Sequence, residues 1–259
     1  MNNRKQQLEA FERLLDIMDE LRLKCPWDKK QTFQSLRHLT IEETYELGDA
    51  ILDNNQEEIK KELGDLLLHI IFYAKIGSET GHFDMADVAN EISEKLIYRH
   101  PHIYGDVKVA NEEEVKQNWE KLKLKEGKSS VLEGVPKSLP ALVKAARIQE
   151  KVAGVGFEWK QSTPILAKIK EEIQELEHEI AHNNHDAIED EFGDVLFALI
   201  NYARFLKINP ENALERTNKK FIARFQFIEQ KAKDQGQSIT DLTLAEMEQF
   251  WIDAKTGIQ

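Results

Sequence analysis

The sequence predicts an all-α protein built from two tandem copies of a helical-bundle domain. Apolar residues recur at helical spacing along much of the 259-residue chain, without the alternating pattern that is typical of strands. Only six prolines and twelve glycines are present, so long stretches lack a helix breaker. A set of acidic residues also occurs twice at one constant offset, which indicates a duplicated unit.

The repeated acids form two sets of four, and each member of the second set lies 129 residues after its counterpart. Asp and Glu make up 47 of 259 residues, so four chosen acids would all meet acids at a given offset roughly once in a thousand trials. Chance therefore explains the match poorly. The first set is Glu43, Glu46, Glu62 and Asp65, and the second is Glu172, Glu175, Glu191 and Asp194.

Within each set the acids form two pairs spaced i, i+3, so each pair projects from one face of its helix. In sequence, the acids of the second set lie at equal distances before and after Asn183, and those of the first set lie at equal distances before and after Asn54. If the chain reverses at these asparagines, the four side chains of each set meet at matching heights across an antiparallel helix hairpin. Short loops between antiparallel helices favour a helix bundle.

The two copies are predicted to be domains at residues 1–126 and 141–259, joined by a linker at 127–140 that contains Gly, Ser and Pro. Within them, capping residues, prolines and apolar periodicity set the expected helix ends. The predicted helices cover residues 8–21, 40–52, 57–78, 86–99, 111–125, 141–151, 164–181, 186–206, 210–233 and 244–255.

Helix capping is the simplest alternative explanation for one of the acids. Thr40 and Glu43 have the spacing of a capping box at the head of a helix. In the second copy the helix is expected to begin near Thr163 and Pro164, so Glu172 lies two turns inside it. Capping alone therefore does not explain why both copies carry an acid at this position.

Composition limits the possible functions. A net charge of -12 argues against a protein that binds DNA or RNA, because such proteins usually present a basic face to the phosphates. Cys25 is the only cysteine, so no internal disulfide can form and a reducing compartment is expected. The start of the chain is polar and no apolar run reaches membrane-spanning length, so we expect a cytoplasmic protein without a signal peptide or anchor.

The surroundings of the acids favour a metal site over a solvated helix surface. Glu191 and Asp194 lie among apolar neighbours such as Phe192 and Val195, and the first copy has the same pattern. Four carboxylates held close together in a bundle would repel one another, so a positive charge is expected between them. Carboxylates without His or Cys suit Mg²⁺, or Mn²⁺, and Mg²⁺ commonly shares such ligands with substrate phosphates.

Basic and aromatic residues recur with the acids. Lys95 and Arg99 are repeated as Lys220 and Arg224 after the second hairpin. Each pair on its own is typical of a solvated helix face, and each Trp of a core. Together with the acids they suggest a nucleotide site, with carboxylates for metal, Lys and Arg for phosphates, and Trp for stacking on a base. The recurring aromatic residue is Trp119 in the first copy and Trp251 in the second, each followed four residues later by a lysine, Lys123 and Lys255.

These motifs resemble the MazG family of nucleoside triphosphate pyrophosphohydrolases, within the all-α NTP pyrophosphohydrolase superfamily. The resemblance rests on Glu-Glu-x-x-Glu, then Glu-x-Gly-Asp, then Lys-x-x-x-Arg in both copies, and on the segment from Cys25 to Asp28. It extends over nearly the whole chain. It implies a homodimer that hydrolyses NTPs or dNTPs to the monophosphate and pyrophosphate with Mg²⁺.

The resemblance also implies roles for individual residues, with the second copy as the active site. Its four acids are then the catalytic metal ligands, and the first set with Lys95, Arg99 and Trp119 is a possible second site. Ala187 stands where some members have a lysine, which puts one phosphate contact in doubt. The residues that match nucleotide contacts of the family are Lys168, Glu171, Glu172, Glu189, Asp190, Asp194, Lys220, Arg224, Trp251 and Lys255.

Two other functions were weighed. A ferritin-like di-iron protein needs Glu-x-x-His on two helices; Glu175 with His178 supplies one such pair, but Asp49 stands at the corresponding position of the first copy and the Glu191 helix continues to Asp194 without a histidine. A non-catalytic helical adaptor is the stronger alternative, and it applies above all to the first copy, which could serve assembly. All four acids of the first copy are nevertheless present, so the sequence does not show that it is inactive.

Overall fold

The protein is entirely helical in the computed structural model, which describes residues 2–111, 114–115, 118–119, 122 and 130–257. Within these ranges there is no strand, so the predicted all-α class is confirmed. Two single-turn 3-10 helices, Asp28–Lys30 and Ile239–Asp241, interrupt the connections. The α-helices are α1 Arg4–Lys24, α2 Phe33–Leu52, α3 Gln56–Glu79, α4 Met85–Arg99, α5 Pro101–Tyr104, α6 Ala141–Ala153, α7 Ser162–His182, α8 His185–Phe205, α9 Pro210–Asp234 and α10 Leu244–Gly257.

The chain divides into two compact units, Met1–Val109 and Ala110–Gln259. The first is built on the antiparallel α2–α3 hairpin, with α1 packed against α3. Its core consists of apolar side chains from all three helices, because each helix turns one apolar face inward. The buried core residues are Met18, Leu36, Ile71, Phe72 and Ile76.

The second unit is built on the α7–α8 hairpin, against which α6 packs through α8, while α9 contacts α6, α8 and α10. Ile165 and Ile169 of α7 and Ala198 of α8 are buried at the hairpin. A second cluster, Ile228, Ala232 and Leu242, joins α9 to α10. The predicted linker is described from residue 130 onward, and Lys151 of α6 donates hydrogen bonds to two of its backbone carbonyls. The predicted end of the first domain at residue 126 and the predicted start of the second at residue 141 stay a prediction.

Both hairpins turn at the asparagines about which the acids are symmetrical. Asn54 and Asn183 have φ of 52° and 53°, in the left-handed region that asparagine tolerates better than most residues. The next amide in each turn bonds back to the preceding helix, as Asn184 N does to Glu179 O at 3.3 Å. The predicted reversals are confirmed.

The predicted start of α2 at Thr40 is wrong. The helix begins seven residues earlier, where Thr32 and Ser35 form the capping box. Thr40 lies inside the helix, and its hydroxyl is 3.1 Å from the Leu36 carbonyl and 2.7 Å from the Tyr73 hydroxyl. Its side chain thus bonds within the helix and across the hairpin, so Glu43 does not act as a capping residue.

The other predicted helices agree with the structure to within a few residues, except for the helix predicted at 111–125. That helix falls largely outside the described residues, although the Glu114 amide does donate to the Asn111 side chain at 3.0 Å, as its capping signal predicts. Among the helices that the structure describes, none is both long and apolar enough to cross a membrane.

Candidate metal and nucleotide site

Three of the four predicted ligands in the second unit come together across the hairpin. Carboxylate oxygens of Glu172 and Glu175 on α7 and of Glu191 on α8 all lie within 4.8 Å of one another. Glu172 is only 7% exposed, Glu191 is half-buried and Glu175 is exposed. The cluster is therefore open on one side and anchored in the hairpin on the other. Asp194 is exposed and lies outside this tight group, although it lines the same cavity as Glu172.

The crowding of these carboxylates raises the pKa of Glu175. A hydrogen bond with Glu172 raises the pKa of Glu175, and desolvation and the nearby charges of Glu172 and Glu191 act in the same direction. The donor set is made of carboxylate oxygens alone, which fits a hard dication such as Mg²⁺ or Mn²⁺.

Lys168 supplies a positive charge at the cluster. Its ammonium lies 2.9 Å from Glu172 Oε1 and 2.7 Å from Glu171 Oε1. These two hydrogen bonds, first that to Glu171, raise the pKa of Lys168, so the side chain stays charged throughout the ordinary pH range. The predicted positions Lys168 and Glu171 are thus brought to the site.

A cavity of about 530 Å³ opens next to the carboxylates, a size typical of small-molecule sites. Its charged lining residues are Lys168, Glu172 and Asp194 together with the ion pair of Glu158 and Arg204, and the remainder is mostly apolar and aromatic. Its walls come from α6, the loop that follows it, α7 and α8. The other lining residues are Ile148, Gln149, Val152, Gly156, Phe157, Trp159, Ile165, Phe197, Ala198 and Asn201.

The polar side chains of the cavity are held in fixed orientations. Arg204 donates to Glu158 at 2.9 Å and to Asn201 Oδ1 at 3.2 Å. Because an arginine can only donate, the Asn201 carbonyl must face it and the amide nitrogen must point elsewhere. Gln149 in turn donates to the Phe197 carbonyl at 2.8 Å. These contacts join α6, α8 and the loop between α6 and α7 around the cavity.

The sequence did not single out these cavity residues. Asn201 and Arg204 are single polar positions within α8, and Gln149 opens a short polar run with Glu150 and Lys151 in α6, so each looks like helix surface. Trp159 carried a signal that could have been used: each copy has a tryptophan shortly before its first acidic helix, and Trp27 is the one in the first copy.

Four other predicted nucleotide contacts lie on α9 and α10: Lys220, Arg224, Trp251 and Lys255. The Arg224 guanidinium lies 5.5 Å from the centre of the Trp251 ring, and Phe221 packs on that ring at 5.1 Å. Trp251 also packs against the cluster that joins these helices. In the described structure neither these residues nor Lys220 or Lys255 line the cavity.

Glu189 and Asp190 are exposed on α8 directly before Glu191, and neither belongs to the group of three carboxylates. The structure therefore brings Lys168 and Glu171 to the group of three carboxylates and leaves Glu189 and Asp190 outside it. Their proposed contact with nucleotide stays a prediction.

The first unit repeats the acidic cluster but has no lysine at the position that corresponds to Lys168. Oxygens of Glu43, Glu46 and Glu62 lie within 4.8 Å of one another, and Glu62 is only 3% exposed. Desolvation, followed by the charge of Asp65 and those of Glu46 and Glu62, raises the pKa of Glu43. The position that corresponds to Lys168 at the same offset is Leu39.

The other predicted residues of the first copy are less clearly gathered. Lys95 lies 3.9 Å from Glu91 on its own helix, and Arg99 is half-buried at the end of α4. Trp119 falls after residue 109, in the part of the chain that groups with the second unit. The possible second site thus keeps its acids, while its phosphate and base contacts remain a prediction.

The sequence matches the family model of the MazG nucleotide pyrophosphohydrolase domain twice, over residues 31–104 and 160–226. The two matches together cover more than half of the chain, and each contains one acidic hairpin. The chain belongs to the MazG family. The prediction that it is a hydrolase of the nucleoside triphosphate pyrophosphohydrolase class is confirmed.

Several relatives match the chain over most of its length. The chain is 41% identical over 257 residues to the nucleoside triphosphate pyrophosphohydrolase of Escherichia coli K12, covering 96% of this chain and 98% of the relative. It is 40% identical over 252 residues to the nucleoside triphosphate pyrophosphohydrolase/pyrophosphatase MazG of Thermotoga maritima, covering 95% and 96%. It is also 47% identical over 235 residues to the uncharacterized protein YabN of Bacillus subtilis, covering 89% of this chain but only 48% of YabN.

Proposed function

We propose that this MazG-family chain hydrolyses nucleoside or deoxynucleoside triphosphates to the monophosphate and pyrophosphate at the second-unit cluster, with Mg²⁺ or Mn²⁺. The observation that carries the proposal is the trio of Glu172, Glu175 and Glu191 within 4.8 Å, directly beside a cavity of about 530 Å³. A charged cluster next to an apolar cavity fits the two ends of a nucleotide, the polyphosphate and the nucleoside.

In this mechanism Glu172, Glu175, Glu191 and Asp194 hold the metal. Bound there, it would screen the triphosphate and lower the pKa of an attacking water. A carboxylate oxygen that does not bind the metal, on either Glu171 or Glu175, would accept the proton of that water.

The basic residues act on the phosphates. Lys168 is already at the cluster and would contact a phosphate oxygen. Lys220 and Arg224 would stabilise the negative charge that develops on the departing pyrophosphate. Both lie on α9, which contacts α8.

The cavity offers the nucleoside a place next to the carboxylates. Trp159 and Phe157 provide aromatic surface there, whereas Trp251 is packed by Phe221 and Arg224. Stacking of one base is worth about 1–3 kcal/mol. Trp159→Ala is therefore expected to raise the KM for a nucleotide by about tenfold to a hundredfold. A large rise in Trp251→Ala with none in Trp159→Ala would instead place the base on α10.

A homodimer formed through the acidic hairpin completes the proposal. Leu166, Ile173 and Ile180 recur every seven residues along α7 and are 40–52% exposed, and Phe192 and Leu199 of α8 are 54% and 45% exposed. A second copy would cover this apolar face, as helix bundles require. Light scattering is expected to give the mass of a dimer for the parent and of a monomer for Ile173→Glu. A monomeric parent would contradict this part.

The setting proposed for the enzyme is cytoplasmic, and its partners are nucleotides. The lone Cys25 suits a reducing compartment. The charge of -12 argues against nucleic acid polymers as partners, because proteins that bind them usually present a basic face to the phosphates, whereas a short triphosphate can bind through a metal ion.

A panel of NTPs and dNTPs, assayed with Mg²⁺ and separately for pyrophosphate and orthophosphate, tests the function. We expect pyrophosphate in equal amount to the monophosphate, and loss of turnover in a chelator. Cleavage that survives chelation, or that releases mainly orthophosphate, would refute the proposal.

A further inference from the structure

We propose that Lys168 is a displaceable counter-ion of the metal site, which holds Glu172 in the metal-free protein and moves to a phosphate oxygen when metal and nucleotide bind together. This inference rests on the proposed function and deepens it, because it makes tight metal binding dependent on nucleotide.

The first step of the argument is the position of the ammonium group. Lys168 Nζ is 2.9 Å from an oxygen of Glu172, the most buried of the three clustered carboxylates. Metal–oxygen bonds are about 2.0–2.6 Å long for Mg²⁺ and Ca²⁺. A dication bound by that oxygen would lie within a few ångströms of the ammonium, so the two cations compete for Glu172.

The second step is that Lys168 has somewhere to go. Its other partner, Glu171, lies outside the group of three carboxylates, and the Glu171 side chain is 56% exposed. Lys168 can therefore release Glu172 and keep its bond to Glu171. Lys168 also lines the cavity together with Glu172 and Asp194, so a triphosphate that enters the cavity meets the ammonium there.

The third step is the comparison with the first unit. There Leu39 occupies the position of Lys168, and the lysine next to the cluster is Lys61, on the opposite helix of its hairpin. Lys61 is 64% exposed and lies 3.6 Å from Glu62, a longer and more solvated contact. Among the described residues, a lysine that both contacts a buried carboxylate of the cluster and lines a cavity is thus found in the second unit and not in the first.

The expected size of the effect follows from the spacing. A charge within about 4–6 Å changes the affinity of a carboxylate for a proton by about one to three pKa units. A dication should be affected at least as strongly as a proton. Removing the charge of Lys168 should therefore strengthen metal binding without nucleotide by about tenfold or more.

The test measures Mn²⁺ binding by calorimetry or electron paramagnetic resonance in the full chain, without nucleotide. All proteins carry Glu62→Gln, which disables the cluster of the first unit. We compare Lys168→Met with Lys170→Met, a control that removes a charge from the exposed side of the same helix. Lys168→Met is expected to bind Mn²⁺ about tenfold more tightly, and Lys170→Met within about twofold of the parent.

A second measurement separates the two roles of the lysine. A non-hydrolysable nucleoside triphosphate with Mn²⁺ should bind more weakly to Lys168→Met, because the phosphate contact is lost, and Lys168→Arg should keep parental Mn²⁺ affinity. If Lys168→Met does not fold, Lys168→Gln tests the same point. Equal or weaker Mn²⁺ binding in the uncharged variants would overturn this inference alone. Absence of Mn²⁺ binding in every protein would overturn it together with the proposed function.

Discussion

Glu172 is the ligand whose replacement tests the proposed active site most sharply. Its side chain is 7% exposed, belongs to the group of carboxylates within 4.8 Å, and lies 2.9 Å from Lys168. Glu172→Gln keeps the shape and one carbonyl oxygen while removing the charge. Loss of a residue that merely supports a metal ligand costs about 10–100-fold in affinity or activity. Loss of a direct ligand should therefore lower kcat/KM by at least about a hundredfold, which is about 2.7 kcal/mol.

The fold should survive this change. In the metal-free protein Glu172 adds to the crowding of negative charge, and Lys168 keeps Glu171 as a partner. Thermal unfolding in a chelator is therefore expected at the same temperature as for the parent, or slightly higher. Adding Mg²⁺ should stabilise the parent more than the variant, because binding to the native state alone adds about 2.7 kcal/mol at a hundred times Kd.

The assay follows pyrophosphate release under saturating and limiting NTP, with Glu177→Gln on the exposed surface of the same helix as the matched control. The control should retain parental kinetics. Parental turnover in Glu172→Gln would show that the second-unit cluster does not hold the catalytic metal.

Three further predictions follow from individual contacts. Asn183→Ala should destabilise the second unit by about 1–2 kcal/mol, because alanine tolerates the left-handed φ of 53° at this position poorly. Asn183→Gly should not destabilise it, because glycine adopts this φ freely. Equal melting temperatures of the two variants would be inconsistent with this prediction. Arg22→Met should cost about 2 kcal/mol, because Arg22 is 10% exposed and donates to Glu79 and to two backbone carbonyls. The hydrogen bond from Arg22 lowers the pKa of Glu79. The stabilisation from this pair should therefore be present above the ordinary carboxyl value of 4.5 and be lost as pH falls through the lowered pKa. If denaturant titrations showed that Arg22→Met lowers the free energy of unfolding equally at low pH, the prediction would be contradicted. At a pH between the ordinary carboxyl value of 4.5 and the raised pKa of Glu175, metal binding should release a proton, because the hydrogen bond with Glu172 raises that pKa. Metal affinity should therefore rise with pH through the raised pKa. Calorimetry in buffers of different ionisation enthalpy measures the release, and a count of zero in this pH range would disprove it.

The hairpins could be predicted from sequence because their determinants are local and repeated. The i, i+3 spacing and the common midpoints gave the turns at Asn54 and Asn183, and the structure adds the left-handed φ that explains why asparagine stands there. The meeting of Glu172, Glu175 and Glu191 follows from that symmetry.

The cavity could not be predicted in the same way. Gln149, Asn201 and Arg204 are separated by up to 55 residues in sequence, and only the packing of α6 on α8 brings them to one wall. The start of α2 was mispredicted for a related reason. Thr40 fits a cap by local spacing, but its hydroxyl finds partners within the helix and on the facing Tyr73.

The most direct measurement of the central claim is the product balance of a purified, metal-loaded protein with an NTP. The account predicts one pyrophosphate for each monophosphate formed, complete loss of this activity on chelation, and its loss in Glu172→Gln with the helical content unchanged. Orthophosphate as the main product, or pyrophosphate formed equally well by Glu172→Gln, would contradict it.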